Sequence, residues 1–200
     1  MKRKIKYIVI GVIVVVVGFV YAHVDKPNYI YDSHTDNSAY TTFVLKNGET
    51  VRQSFRCTDN KIDGISVKIA VNSSSPENRL HYEIEDQDMK TVKEGDFLFG
   101  DIKSGQINSI RFDESVIVEK GEEYFVVFSS SDLQEDESLQ FYYDSQGNQQ
   151  GDLEIIDEEI DGTMIVRTFT FCFDSETFIV VMGFALYLAV FFRILYKLFS

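Results

Sequence analysis

ISVKIAV (residues 65–71) and LHYEIED (residues 80–86) carry the clearest structural signal in this 200-residue chain. In the first, Ile65, Val67, Ile69 and Val71 alternate with Ser66, Lys68 and Ala70. In the second, Leu80, Tyr82 and Ile84 alternate with His81, Glu83 and Glu85. Successive side chains of a strand point to opposite faces, so a strict period of two predicts half-buried strands with one wet face. KGEEYFVVFSSS (120–131) sets Tyr124, Val126 and Phe128 against Phe125 and Val127, which predicts a strand covered on both faces. LQFYYD (139–144) and MIVRTFTF (164–171) read as further strands. FVLK (43–46) and ETVRQSF (49–55) flank Asn47-Gly48, the strongest short-range hairpin signal.

Polar turn clusters at 72–78, 129–138 and 144–152 separate these runs. About eight or nine short strands with such spacing predict an all-β sandwich or barrel. There is no repeat of fixed period and no competing amphipathic helix of ten residues. Asn72-Ser73-Ser74 is a formal glycosylation sequon.

The two ends differ from this middle. Tyr7–Ala22 is uncharged and rich in Ile and Val, and follows the basic cluster Lys2, Arg3, Lys4 and Lys6. Stretched to Val24 it reaches the lower limit of about 17 residues for a membrane span. Two readings stay open: a retained anchor, or a signal peptide cleaved near Ala22. Thr177–Phe192 is also uncharged, and Arg193 and Lys197 follow it. It reads as a transmembrane helix with those two side chains snorkelling to the interface. Basic residues stay on the cytoplasmic side, so both termini are expected inside and the middle outside. The small pairs Gly11/Gly18 and Ala185/Ala189 are candidate helix-contact positions.

The expected organisation is a 1–24 anchor or signal peptide, a stalk and first strand over 25–42, a sandwich over 43–174, and a membrane helix with a short basic tail over 175–200. In the stalk, Tyr29 and Tyr31 are expected at headgroup level.

Charge narrows the partners. The net charge is -13, yet all 32 Asp and Glu lie within 25–176 alongside 13 of the 19 Lys and Arg, leaving that segment at -19. Nucleic acid and anionic lipid surfaces repel such a segment.

One family resemblance rests on Gln53, Phe55, Ile62, Gly64, Ile65, Val67, Leu80, Tyr82, Ile84, Asp86, Gly121 and Tyr124. Their order resembles the jelly-roll, galactose-binding-like ectodomains of Gram-positive cell-envelope membrane proteins, some associated with polysaccharide assembly. The resemblance covers roughly residues 50–145. It implies an all-β, jelly-roll-like antiparallel β-sandwich, here flanked by N- and C-terminal transmembrane helices. The positions are core and turn residues, so it implies a fold and supplies no binding residues.

The chemistry-bearing residues are few. Cys57 and Cys172 are the only cysteines; they read either as a disulfide or as two separate thiols. None of His23, His34 and His81 has a second His or Cys at metal-ligand spacing. The acidic run Asp152, Glu154, Asp157, Glu158, Glu159 and Asp161 lacks EF-hand spacing; calcium is a minor alternative to a solvated loop. Phe141, Tyr142 and Tyr143 are consecutive, so at least one faces outward, a candidate glycan or partner contact. No nucleophile, P-loop or zinc-protease motif is present. The expectation is a non-enzymatic accessory or scaffold subunit of a cell-envelope membrane complex, without cofactor, in contact with a membrane-protein partner. A displayed carbohydrate-binding module and an enzyme of unrecognised geometry are the alternatives.

Overall fold

The computed structural model describes residues 2–146, 151–156 and 158–199. The chain forms two compact units, one of residues 27–170 and one of residues 1–26 with 171–200. In chain order, helix α1 (Lys2–Tyr21) precedes strands β1 (His23–Tyr29), β2 (Thr41–Leu45), β3 (Thr50–Arg56), β4 (Lys61–Asn72) and β5 (Arg79–Glu85). Then follow β6 (Thr91–Leu98), β7 (Gln106–Ile117), β8 (Glu123–Ser129), β9 (Ser138–Asp144) and β10 (Leu153–Ile155). The short β11 (Glu158–Ile160) and β12 (Thr163–Met164), then β13 (Val166–Phe173) and helix α2 (Ser175–Phe199), complete the fold.

The strands form two antiparallel sheets, a β-sandwich. The first runs β1-β13-β4-β9-β12, with β2 on β9 and β7 on β4. The second runs β11-β10-β3-β8-β5-β6. Strand β4 is the spine of the first sheet: β7 lies along one edge, and β13 then β9 share the other. The period-two reading holds at the core. Ile65, Val67 and Ile69 on β4, and Leu80 and Ile84 on β5, are fully buried, while His81 and Glu83 are half-exposed. They join Phe55, Phe128, Phe141, Leu139 and Leu153 in one hydrophobic cluster. Val127, on the outward side of β8, is also buried, as its uninterrupted apolar run predicts.

Several expectations are corrected. Among the described residues there are thirteen strands rather than eight or nine, because two- and three-residue strands such as β10, β11 and β12 are too short to show a period. Asn47-Gly48 makes a tight turn, with Gly48 at φ +77 and Glu49 N–H donating to Lys46 O at 3.1 Å. It does not close a hairpin. Strand β2 pairs with β9 in the first sheet and β3 with β8 in the second, so this turn is a corner between sheets, held by Gly48 N–H on Ser130 O at 2.8 Å. The stretch expected as a stalk is partly built into the fold: Pro27–Tyr29 belong to β1, and Ile30 and Tyr31 are buried. Strand pairing and burial there compete successfully with extension into solvent.

Two buried polar clusters explain otherwise unremarkable residues. Gln53 on β3 is wholly buried between the sheets. Its Oε1 accepts from Met164 N–H of the first sheet at 2.8 Å, and its Nε2 donates to Ser54 O at 3.0 Å and Asp152 O at 3.3 Å. Glu137 clasps two loops. Its carboxylate accepts from Ser73 Oγ (2.7 Å), Ser74 N–H (3.1 Å), Asn78 Nδ2 (2.8 Å) and Gln134 N–H (3.2 Å). These donors, the Ser73 hydroxyl foremost, pull the Glu137 carboxyl down to about 2.

In the other unit, α1 ends at Tyr21, where Ala22 N–H bonds Gly18 O and β1 begins two residues later. The apolar run therefore does not extend as helix to Val24. Among the described residues, Val9–Tyr21 is shorter than a membrane span, and α2 is the one helix long and apolar enough to cross by length and composition. Gly18 lies against α2, where a Cβ would meet Met182 and Phe178, whereas Gly11 has no such neighbour. Asp174 caps α2, accepting from Glu176 N–H at 3.1 Å and Thr177 Oγ1 at 2.5 Å. The rings of Phe19, His23, Phe171, Phe173 and Phe178 cluster around this end of the helix pair.

Gln53→Leu strands the Met164 N–H in the core, while the Asp152 carbonyl keeps its bond from Ser54 N–H. The expected loss is about 1–3 kcal/mol in a denaturant melt. For Glu137 the folded carboxyl lies below its ordinary 4.5, so its contribution is complete above that pH and is lost as pH falls towards 2. Urea midpoints measured across this window are expected to fall steeply for the native chain and less steeply for Glu137→Gln.

Candidate functional site

Register fixes what the outer face of the first sheet presents. Because Val67 and Ile69 point inward, Ser66 and Lys68 point outward. Arg167 is paired opposite Ser66, and Phe141 opposite Ile69, so Arg167 and Tyr142 share that outer face. Tyr29 at the end of β1, and Tyr31 and Tyr40 in the segment after it, add three rings beside them.

These residues form one continuous strip. The Arg167 guanidinium lies 5.5 Å from the Tyr29 ring centroid, and its Nη1 donates to the Tyr29 hydroxyl at 3.3 Å. The Tyr29 and Tyr31 rings meet edge to face at 5.7 Å, and Tyr31 and Tyr40 at 6.3 Å. Lys68 Nζ then sits between two rings, 5.1 Å from Tyr40 and 4.8 Å from Tyr142. A cation over an aromatic face gains about 0.5–2 kcal/mol, more as water is excluded. Among the described residues, neither Lys68 nor Arg167 is in an ion pair with a carboxylate. In a segment carrying -19, two cations held only by tyrosines are unusual. Acids flank one end: Asp144, Asp32 and Asp36 lie close enough to Tyr40 to raise its phenol, after burial, which is the larger cause. Burial also raises Tyr31, helped by the neighbouring Tyr40 phenol, while Arg167 pulls it down.

Chemically, the strip offers ring faces for stacking, phenol hydroxyls as donors and acceptors, and two cationic donors in fixed positions. Tyr29 is the most open of the rings, at 37% exposure. The face is a platform rather than a cleft. Elsewhere, an open depression of about 350 Å³ is lined by Arg56, Gln87, Gly121, Glu122, Glu123 and Phe125; Gln87 donates to Glu122 there.

The candidates from sequence divide. Of Phe141, Tyr142 and Tyr143, only Tyr142 joins the outer strip. Phe141 is wholly buried, stacked on Phe43 at 5.5 Å, and Tyr143 packs inward, 6.0 Å from the same ring. Cys57 and Cys172 are free thiols rather than a bridge. Cys57 is buried in the core, and that burial pushes its thiol up to about 12. In the acidic run, Glu154 and Glu159 face each other across β10 and β11, and Asp157 lies outside the described residues. Of the basic residues expected to set topology, Lys6, Arg193 and Lys197 are exposed on their helices; Lys2, Arg3 and Lys4 lie on α1, their side chains outside the described ones. Among the described residues, one His-carboxylate group has ligand atoms that converge: His81, Glu83 and Glu94 on the second sheet.

Sequence reading missed Tyr40, Lys68 and Arg167 as partners. Lys68 was legible as outward-facing from ISVKIAV. Tyr40 arrives from a loop, and Arg167 from a strand about a hundred residues away, so no local period brings the three together.

No family model matches the chain, and no curated protein matches it. Among solved structures, it is similar to a family GH115 4-O-methyl-α-glucuronidase with specificity for decorated arabinogalactans (12% identity, TM-score 0.34), over 76% of this chain and 17% of that one. It is also similar to infectious bursal disease virus Gt strain (12%, TM-score 0.32), over 72% of this chain and 35% of that one. A VP2 subviral particle of the same virus matches at 12% and TM-score 0.28, over 76% of this chain and 42% of that one. The chain thus spans less than half the length of each, and TM-scores this low assign it neither fold nor activity.

Arg167 holds the Tyr31 phenol down, so Arg167→Gln is expected to move the Tyr31 ionisation to higher pH. A pH titration of the ring-carbon NMR signals reads this directly.

Proposed function

We propose that the protein is a non-enzymatic, membrane-anchored sandwich of jelly-roll-like form, displayed outside the cytoplasmic membrane as an accessory or scaffold subunit of a cell-envelope complex. The observation that carries this reading is the Tyr29–Tyr31–Tyr40–Tyr142 strip with Arg167 and Lys68, a preformed aromatic and cationic platform. Interfaces are enriched in Tyr and Arg, which offer large rigid contact area at low entropy cost. Helix α2 supports anchoring by its length and apolarity. The exposed Arg193 and Lys197 support an inside C-terminus under the positive-inside rule. Strands that alternate between the two sheets from β2 to β5 and again from β6 to β9 support the jelly-roll-like form. Helix α1 is then either a second anchor packed through Gly18 or a signal segment.

A carbohydrate-binding module is the second reading, favoured by the same rings, since sugar faces stack on tyrosines and hydroxyls pair with Arg and Lys donors.

Full-length protein extracted in mild detergent is expected to carry a stoichiometric companion. Tyr142→Ala combined with Arg167→Gln is expected to cut that companion at least tenfold without shifting the thermal midpoint by more than a few degrees. Loss of nothing from the native preparation, with glycan-array signals that the double variant abolishes, transfers the function to the second reading. Intact mass of the extracted chain is expected to include residues 1–22; a mass lacking them makes α2 the sole anchor.

A further inference from the structure

On the second sheet, β5 and β6 pair so that His81 faces Asp96 and Glu83 faces Glu94. His81 and Glu83 alternate with the core residues Leu80, Tyr82 and Ile84, and Asp96 and Glu94 stand opposite them, so all four share the outer face. The strip described above is on the other sheet, so this cluster is separate from it.

Asp96 Oδ1 lies 2.8 Å from His81 Nδ1. A carboxylate only accepts, so Nδ1 carries a proton and donates, and Nε2 is the ring nitrogen turned towards the glutamates. Arg79 in turn holds Asp96 at 3.3 Å. On the far side of the ring, Glu83 Oε1 is 3.5 Å from Nε2, while Thr91 Oγ1 donates to Glu83 Oε2 at 2.7 Å and fixes that carboxylate. Glu94 completes the set: one ligand atom from each of His81, Glu83 and Glu94 lies within 4.8 Å of the others. The two carboxylates repel one another at this separation, and a cation between them offsets that repulsion.

We infer that His81 Nε2, Glu83 and Glu94 form a binding site for a divalent transition-metal ion of the zinc class, with Asp96 as the carboxylate that orients the histidine. Tetrahedral zinc places its donors about 2.0–2.2 Å from the ion, which the exposed Glu94 and half-exposed Glu83 side chains reach by rotamer change. Imidazole ligation favours such ions over calcium, which takes six to eight oxygens. A histidine whose second nitrogen donates to a carboxylate is the usual support for a zinc ligand. The surrounding -19 segment raises the local concentration of any cation. Three protein ligands leave a coordination position open to water or to a donor group from a partner.

The test is calorimetric titration of the purified full-length protein in detergent with Zn²⁺ alone. One saturable site per chain is expected. His81→Gln and Glu94→Gln are each expected to weaken it at least tenfold, and Asp96→Asn by about 10–100-fold. The control pair Glu158→Gln with Glu159→Gln, in the acidic run, is expected to leave affinity unchanged. Co²⁺ added in place of zinc is expected to give the intense visible bands of a four-coordinate ion in the native chain and not in His81→Gln. Binding that His81→Gln leaves intact, loss of affinity in the control pair, or no saturable site overturns the proposal. Equal thermal midpoints of metal-free native and variant proteins exclude misfolding as the cause of any loss.

Discussion

The buried amide of Gln53 is the constraint around which the sandwich closes. Its backbone is paired within the second sheet, to Val126 on one side and Leu153 on the other, while its side chain reaches the Met164 amide of the first. A polar group in that position is costly unless every hydrogen-bonding atom is matched, and here both ends of the amide are. The matching fixes the separation of the sheets locally, because a shift of about 1 Å would break the 2.8 Å bond to Met164. Ser54, next in the chain, extends the same joint by exchanging bonds with Asp152. Apolar packing supplies the driving force for closure, but it is non-directional. Gln53 supplies direction.

The two outer faces then diverge, although each belongs to an antiparallel sheet with one face on the same core. On the first sheet, Phe169 lies over Gly64, Ser66 bonds Ser109, and the segment around Tyr31 is buried beside Arg167. A Cβ at position 64 would collide with the Phe169 ring and the Ile110 carbonyl, so only glycine permits that cover. The outcome is an aromatic face with embedded cations. On the second sheet, Arg52 bonds Glu85 at 2.7 Å and lies over Phe125 at 5.5 Å, while His81, Glu83, Glu94 and Asp96 alternate along the outer hairpin. Its outcome is a hydrophilic, charge-rich face.

The charge distribution frames both. Every Asp and Glu lies between residues 25 and 176, which gives that segment a strongly negative potential. Against this background, Lys68 and Arg167 are retained in positions where water competes poorly and ring faces replace carboxylate partners. Their attraction to the rings is short-ranged and depends on contact.

The alternation in residues 65–71 and 80–86 specified half-buried antiparallel strands, and the apolar C-terminal run specified a helix, because both signals are local and periodic. Gly48 at positive φ was legible as a turn for the same reason. Which strands that turn joins was not, since pairing of β2 with β9 and β3 with β8 is set by side chains distant in the chain. Likewise the alternation placed Lys68 and His81 on wet faces without showing their neighbours. Tyr40 and Lys68, or His81 and Glu94, meet through sheet register and loop path, which arise when the whole core closes. Local sequence holds periods and turns; the sites are built from contacts across strands, and those exist only after folding.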